Sequence, residues 1–337
     1  MLLILIAALF IEIITYSVSC YADSDIQLQS CLSDMNVDEI VISSNISNVS
    51  TINISNRENY SFKCNNNTIK FKLYNMFFAA NVSNLTILDC RFDSNASNFR
   101  HTTLYIHNSS YVYLINTYSV NGGANIFGNP IDNVSNLYIL HVKSSFYPFD
   151  VYYIIYHSKN IILSNWEIND SNKPNNAYIY LFNSQNILIE NITINFSIPL
   201  GMNADGFRIS SVSNITIRNF STYNNRAPNS ISITHSNNII VENSSFIKSR
   251  PLFISNSNNT SIVNSVFDQI KLRNAIILRD VNRVNVSNNT FKDFIRYAVF
   301  THRINNANDI LNQNYYINYL YMPYYVCPPE ILFNLCD

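Results

Sequence analysis

The sequence predicts an all-β fold, a single-stranded right-handed parallel β-helix (solenoid) of about ten rungs with N- and C-terminal caps. Three observations carry that expectation: one short alternating apolar phrase occurs nine times, its spacing stays close to 25 residues, and seven of the copies end in asparagine. The apolar pairs are Leu85/Ile87, Val112/Leu114, Leu137/Ile139, Ile161/Leu163, Ile187/Ile189, Ile215/Ile217, Ile239/Val241, Thr260/Ile262 and Val284/Val286. They lead to Asp89, Asn116, His141, Asn165, Asn191, Asn219, Asn243, Asn264 and Asn288. Alternation marks a strand with one buried face, and a fixed period of this length marks stacked units rather than one closed core. Each phrase is too short to be stable alone. Stacked in parallel, the phrases bury an apolar ladder between rungs, and stability grows by nearest-neighbour interfaces. The asparagine at the end of each strand belongs in the turn, bonded to backbone or to the asparagine of the next rung.

Second strands of the same rungs lie between consecutive phrases, around Ile179, Arg208, Ser232, Phe253 and Ile277. Phe92, Phe246, Phe267 and Phe291 each stand three residues beyond the terminal residue of a phrase and are expected to form an internal aromatic stack that packs the core. In chain order, residues 1–22 read as a signal peptide, 23–39 as an N-terminal cap, 40–304 as the β-helix and 305–337 as a tyrosine-rich C-terminal cap.

The leader rests on the apolar run Leu2–Phe10, on Ile13–Ile14, and on the small residues Ser17, Ser19 and Ala22, with cleavage after Ser19 or Ala22, although a positive n-region is missing. Ser17-Val18-Ser19-Cys20 is a poor relative of a lipoprotein box, so lipid attachment at Cys20 is a second reading. No later apolar run approaches the roughly 20 residues that span a bilayer, and the mature chain is expected outside the cell. A net charge of −1 with 13% charged residues gives no electrostatic case for nucleic acid or an anionic membrane surface.

Asn-x-Ser/Thr occurs twenty times among 56 asparagines. Behind a leader, the expected N-glycosylation sites are Asn45, Asn48, Asn53, Asn59, Asn66, Asn81, Asn95, Asn108, Asn133, Asn169, Asn195, Asn243, Asn258 and Asn285. Asn191, Asn219 and Asn288 fall on the expected ladder and are read as structural. Glycans would supply hydration that the few charges do not. In an oxidising compartment the six cysteines read as disulfides: Cys64 and Cys90 lie one rung apart, Cys327 and Cys336 can close a C-terminal loop, and Cys31 is left for Cys20 or another chain. No CxxC or His-x-Cys spacing marks a metal site, and no cofactor is expected.

One local stretch carries a resemblance. Asn203-Ala204-Asp205-Gly206-Phe207, followed by Ser213-Asn214-Ile215-Thr216-Ile217, resembles the Asn-Thr-Asp-Gly-Ile motif of polygalacturonases and the strand after it, and the repeat pattern resembles the pectin-lyase-like superfamily over most of the mature length. The resemblance implies a catalytic carboxylate at Asp205. Where the family carries an Asp-Asp pair and then Gly-His-Gly, this chain has Asn224-Asn225-Arg226 and Lys248-Ser249-Arg250. Glycoside hydrolysis needs two carboxylates flanking the bond, and Asp205 alone does not meet that need. Glu190 and Glu242, with Arg218 between them in the same position, read as outward polar residues, and Arg279-Asp280 reads as a surface salt link. The six histidines are scattered among rungs, with no Ser/His/Asp spacing.

An aromatic insertion at Phe146, Tyr147, Phe149, Tyr152 and Tyr153 reads as a binding surface for sugar rings or protein partners. The expected function is a secreted, heavily N-glycosylated cell-surface protein with a structural, adhesive or glycan-binding role. Its partners would be a polysaccharide or neighbouring surface subunits. The alternatives are a polygalacturonase-like glycoside hydrolase or lyase, and a subunit of an extracellular filament or viral appendage.

Overall fold

The computed structural model describes residues 18–72, 75–93, 103–120, 129–146, 153–170, 179–196, 206–223, 229–249, 251–270, 274–294, 296–304, 313–317 and 324–327. The chain winds into a parallel β-solenoid of three faces, and every strand pairing joins one rung to the next in parallel.

The first face runs from Ile52–Ser55 through Phe77–Ala80, Leu104–His107, Asn129–Asp132, Tyr153–Tyr156, Ile179–Phe182, Phe207–Ser210 and Ile231–Thr234. It continues through the first parts of Leu252–Val263 and Ile276–Ser287 to Val299–His302 and Tyr324–Cys327. The second face holds all nine apolar phrases, and the third holds short strands such as Ser245–Ile247, Val266–Asp268 and Thr290–Lys292. Two tight corners join first to second face and second to third. The segments from third back to first carry most of the residues outside the description.

Alternation fixes the core. Both members of each phrase point inward and are buried, apart from Val284, which is half-buried. Each aliphatic side chain so buried contributes roughly 1.5–3 kcal/mol. The aromatic stack is present along the third face: Phe246 and Phe267 lie 4.9 Å apart at 4°, Phe267 and Phe291 5.1 Å apart at 12°, and Tyr316 extends the column. Phe92 belongs to a separate group, packed on Phe71 and Phe77.

All nine residues that end the phrases adopt positive φ, between 45° and 60°. A left-handed turn residue is ordinarily glycine, but no described glycine has positive φ, and asparagine holds most of these positions. Asparagine tolerates that region at low cost because its short amide bonds locally. At the corners, Asn219 Nδ2 donates to Asn191 at 3.0 Å and Asn191 to Asn165 at 3.2 Å. The expected ladder is therefore real, and a longer one runs beside it, through the second residue of the second-face strands. There Asn160 donates to Asn136, Asn186 to Asn160, Asn214 to Asn186, Asn238 to Asn214 and Asn259 to Asn238, all at 2.8–2.9 Å. Beneath the corner, buried serines satisfy the buried turn backbone: Val134 N–H donates to Ser158 Oγ, and Ser158 N–H to Ser184 Oγ.

At the N-terminal end, the helix Asp25–Ser33 packs on the first rungs with Leu28 and Cys31 buried. Arg57, nearly buried, donates to the carbonyls of Leu32, Asp34 and Val37, holding a cation at the helix C-terminus where the dipole favours it. Residues Ser19–Ala22, inside the segment read as leader, form a strand paired with Glu39–Ile42, and Cys20 is bonded to Cys31. Cys64 and Cys90 form the expected disulfide. Residues 315–317 and 324–327, inside the expected C-terminal cap, pair in parallel with the rung below and continue the coil.

Candidate functional site

The repeat brings three titratable residues to one point. His107, Asp132 and His157 stand 25 residues apart in sequence and on successive rungs at the edge of the first face. Asp132 Oδ2 lies 3.0 Å from His107 Nδ1, and Asp132 Oδ1 lies 3.0 Å from His157 Nδ1. One carboxylate thus lies against two imidazoles, and its hydrogen bond is to His157. The side chain of Asp132 is 17% exposed, that of His107 34% and that of His157 57%, so His157 is the ring that meets solvent.

His157 takes the corner position that asparagine holds on neighbouring rungs, with φ 50°. Below it, Asn133 donates to Asn108 at 2.6 Å, whereas the imidazole bonds the carboxylate of the preceding rung's strand. Tyr156 stacks on Phe182 at 5.5 Å and 11°, and Tyr105 packs against His107. Burial, and after it the charge of Asp132 and the neighbouring Tyr105, push the Tyr156 phenol above its ordinary range, so it stays protonated.

Beside His157 a groove of about 540 Å³ crosses four rungs. One wall is the corner column Asn133, His157, Asn183 and Ser211, and the other is Ser135, Lys159, Gln185 and Ser213 at the starts of the second-face strands. Its lining is amides, hydroxyls, one imidazole, one ammonium and the apolar Val134, with no carboxylate.

The residues marked from sequence fall elsewhere. Tyr153, read as part of the binding surface, is fully buried, and its hydroxyl donates to the Thr117 carbonyl at 2.8 Å. That reading is corrected: Tyr153 is the first residue of a first-face strand and alternation points it inward, where burial pushes its phenol up. Phe146 ends the strand Lys143–Phe146, and Tyr147, Phe149 and Tyr152 lie outside the described residues. So do Asp205, Asn95 and Cys336.

Among the sequon asparagines, Asn45, Asn48, Asn53, Asn59, Asn66, Asn81, Asn108, Asn133, Asn243 and Asn285 are exposed, while Asn195 and Asn258 are half-buried. Asn169 lies in the strand Lys159–Asp170, and Cys327 ends the strand Tyr324–Cys327. Glu190 and Arg218 pair across adjacent rungs on the outer second face, and Arg279 lies 3.4 Å from Asp280. Among the described residues no cluster of His, Cys, Asp or Glu is arranged to hold a metal ion. No described helix is long and apolar enough to cross a membrane.

The His107, Asp132 and His157 cluster was missed because the histidines were compared with catalytic-triad spacings rather than with the repeat. Its signal was the interval of one period, twice.

A family model described as a right handed beta helix region matches residues 154–314. No curated protein sequence matches. Among solved structures, the chain is similar to the catalytic domain of a GH87 α-1,3-glucanase in complex with nigerose, at 11% identity over 94% of this chain and 67% of that one, with TM-score 0.44. It is also similar to the A-module of the Azotobacter vinelandii mannuronan C-5 epimerase AlgE4, at 11% identity, 92% and 97% coverage and TM-score 0.47. A third is the periplasmic alginate epimerase AlgG, at 10% identity, 89% and 84% coverage and TM-score 0.42. With the family model lying over the parallel ladders described above, the chain is a right-handed parallel β-helix.

Proposed function

We propose that this chain is an exported carbohydrate-binding β-helix whose glycan lies along the corner groove between first and second faces. The groove lining carries the reading: amides and hydroxyls repeat over four rungs, at the roughly 4.8 Å strand spacing, and suit a hydroxyl-rich ligand that repeats along its own length. Tyr156 and Phe182 add apolar ring edges nearby. The export reading is supported by the apolar leader and by two disulfides, which persist outside reducing compartments. We place the leader cut after Ser19, because a cut after Ala22 would remove Cys20 and the strand Ser19–Ala22. The exposed sequons supply the hydration of a surface glycoprotein.

The test is retention on a panel of immobilised polysaccharides. Wild type is retained on at least one, and the double variant Asn183→Ala/Gln185→Ala loses at least about tenfold in affinity, the equivalent of one to two hydrogen bonds. Retention on none by a folded, glycosylated protein would refute the reading.

A further inference from the structure

We propose that His157 is the general base of an ester-hydrolysing site on this groove, acting on a carboxylic ester carried by the glycan. The proposal rests on the carbohydrate-binding reading of the groove and goes beyond it to a reaction.

An imidazole works as a base when one nitrogen is fixed and the other meets the substrate. Asp132 Oδ1, 3.0 Å from Nδ1 of His157, fixes the first nitrogen as the N–H tautomer and leaves Nε2 with its lone pair. The ring is more than half exposed and forms part of the groove wall. The other oxygen of Asp132 lies 3.0 Å from His107 Nδ1 on the preceding rung.

The surroundings select the reaction. Cleavage of a glycosidic bond needs a second carboxylate across the bond, and the groove lining has none. Addition of water to an ester carbonyl needs one base and a site for the oxyanion. Lys159, two residues beyond His157, and the amides of Asn183 and Gln185 lie on the same walls and are donors of that kind. In the reaction Nε2 of His157 removes a proton from water while the water oxygen bonds to the ester carbon. The oxyanion then collapses, the bond to the alkoxy oxygen breaks, and Nε2–H returns the proton to that oxygen. The products are an acid and an alcohol, with nothing oxidised or reduced. His157 is the catalytic residue, and Asp132 is a positioning residue.

The experiment incubates the full chain with acetylated and methyl-esterified polysaccharides, measuring released acetate and methanol beside retention on the same polymers. Release is expected, and His157→Gln should lower it by about 100-fold or more, far more than it lowers retention on the same polymers. Asp132→Asn should lower kcat by about tenfold or more at unchanged KM, and Asp132→Glu should restore part of the loss, a split that damage to the fold would not produce. Retention without release overturns the proposal, as does release that survives His157→Gln. Loss of both release and retention in a folded wild type brings down the binding reading as well.

Discussion

Asn214 Nδ2 donates to Asn186 Oδ1 at 2.9 Å although 28 residues separate them, and both residues hold a left-handed backbone with φ 56°. One side chain therefore does two jobs, which substitution can separate. Asn186→Gly keeps the backbone conformation and removes two ladder bonds, whereas Asn186→Ala also forces a Cβ into the left-handed region. The alanine variant should be less stable than the glycine variant by about 1 kcal/mol, measured by denaturant unfolding.

The disulfide between Cys64 and Cys90 spans 26 residues, about one rung. Replacing both with alanine should cost roughly 3 kcal/mol, mainly by freeing the unfolded chain, as denaturant unfolding of the variant beside oxidised wild type would measure.

Phe267 sits between Phe246 and Phe291 with nearly parallel rings. Phe267→Ala should cost about 3–5 kcal/mol, because neighbouring rungs cannot collapse into the space, and Phe267→Leu much less. Differential scanning calorimetry of the two variants checks the order.

Tyr153→Phe removes the buried bond to Thr117. A loss of about 1 kcal/mol in stability with unchanged glycan retention is expected. Weaker retention would restore Tyr153 to the binding surface.

Asp25 gives the coil an acid-sensitive end. Burial pushes its carboxyl up, but the backbone and hydroxyl of Ser50, the Gln29 amide and the Lys72 ammonium outweigh burial and hold it below its ordinary value of 3.8. A carboxyl depressed on folding contributes stability above its unfolded pKa, and that contribution is lost as pH falls through the folded value. Unfolding free energy should therefore fall as pH drops below about 4, and Asp25→Asn should flatten that acid limb. An unchanged limb would remove Asp25 from the account.

Much of the coil was legible because its rule is local. Leu137 and Ile139, or Ile215 and Ile217, declare an inward face by alternation alone, and Asn191 or Asn219 declares a corner by its position after them. The second asparagine ladder went unread because Asn136, Asn160 and Asn186 precede the apolar pair, where loop asparagines are commonplace. Tyr153 was misplaced because aromatic neighbours hid its strand parity. The groove was illegible for a different reason. Ser135, Lys159, Gln185 and Ser213 do not repeat one residue type, and only the register between rungs lines them up.

The amide ladders also have a direction. In the described asparagine-to-asparagine links from Asn81→Asn56 to Asn259→Asn238, the later rung donates and the earlier accepts, so those N–H groups point toward the N-terminal end, whereas at the C-terminal end Asn289 donates the other way, to Asn314. Along those corners the ladder is an electrically polar column, like a row of magnets laid end to end. A second molecule can prolong those ladders only by setting its head to this one's tail; head meeting head would face donor with donor.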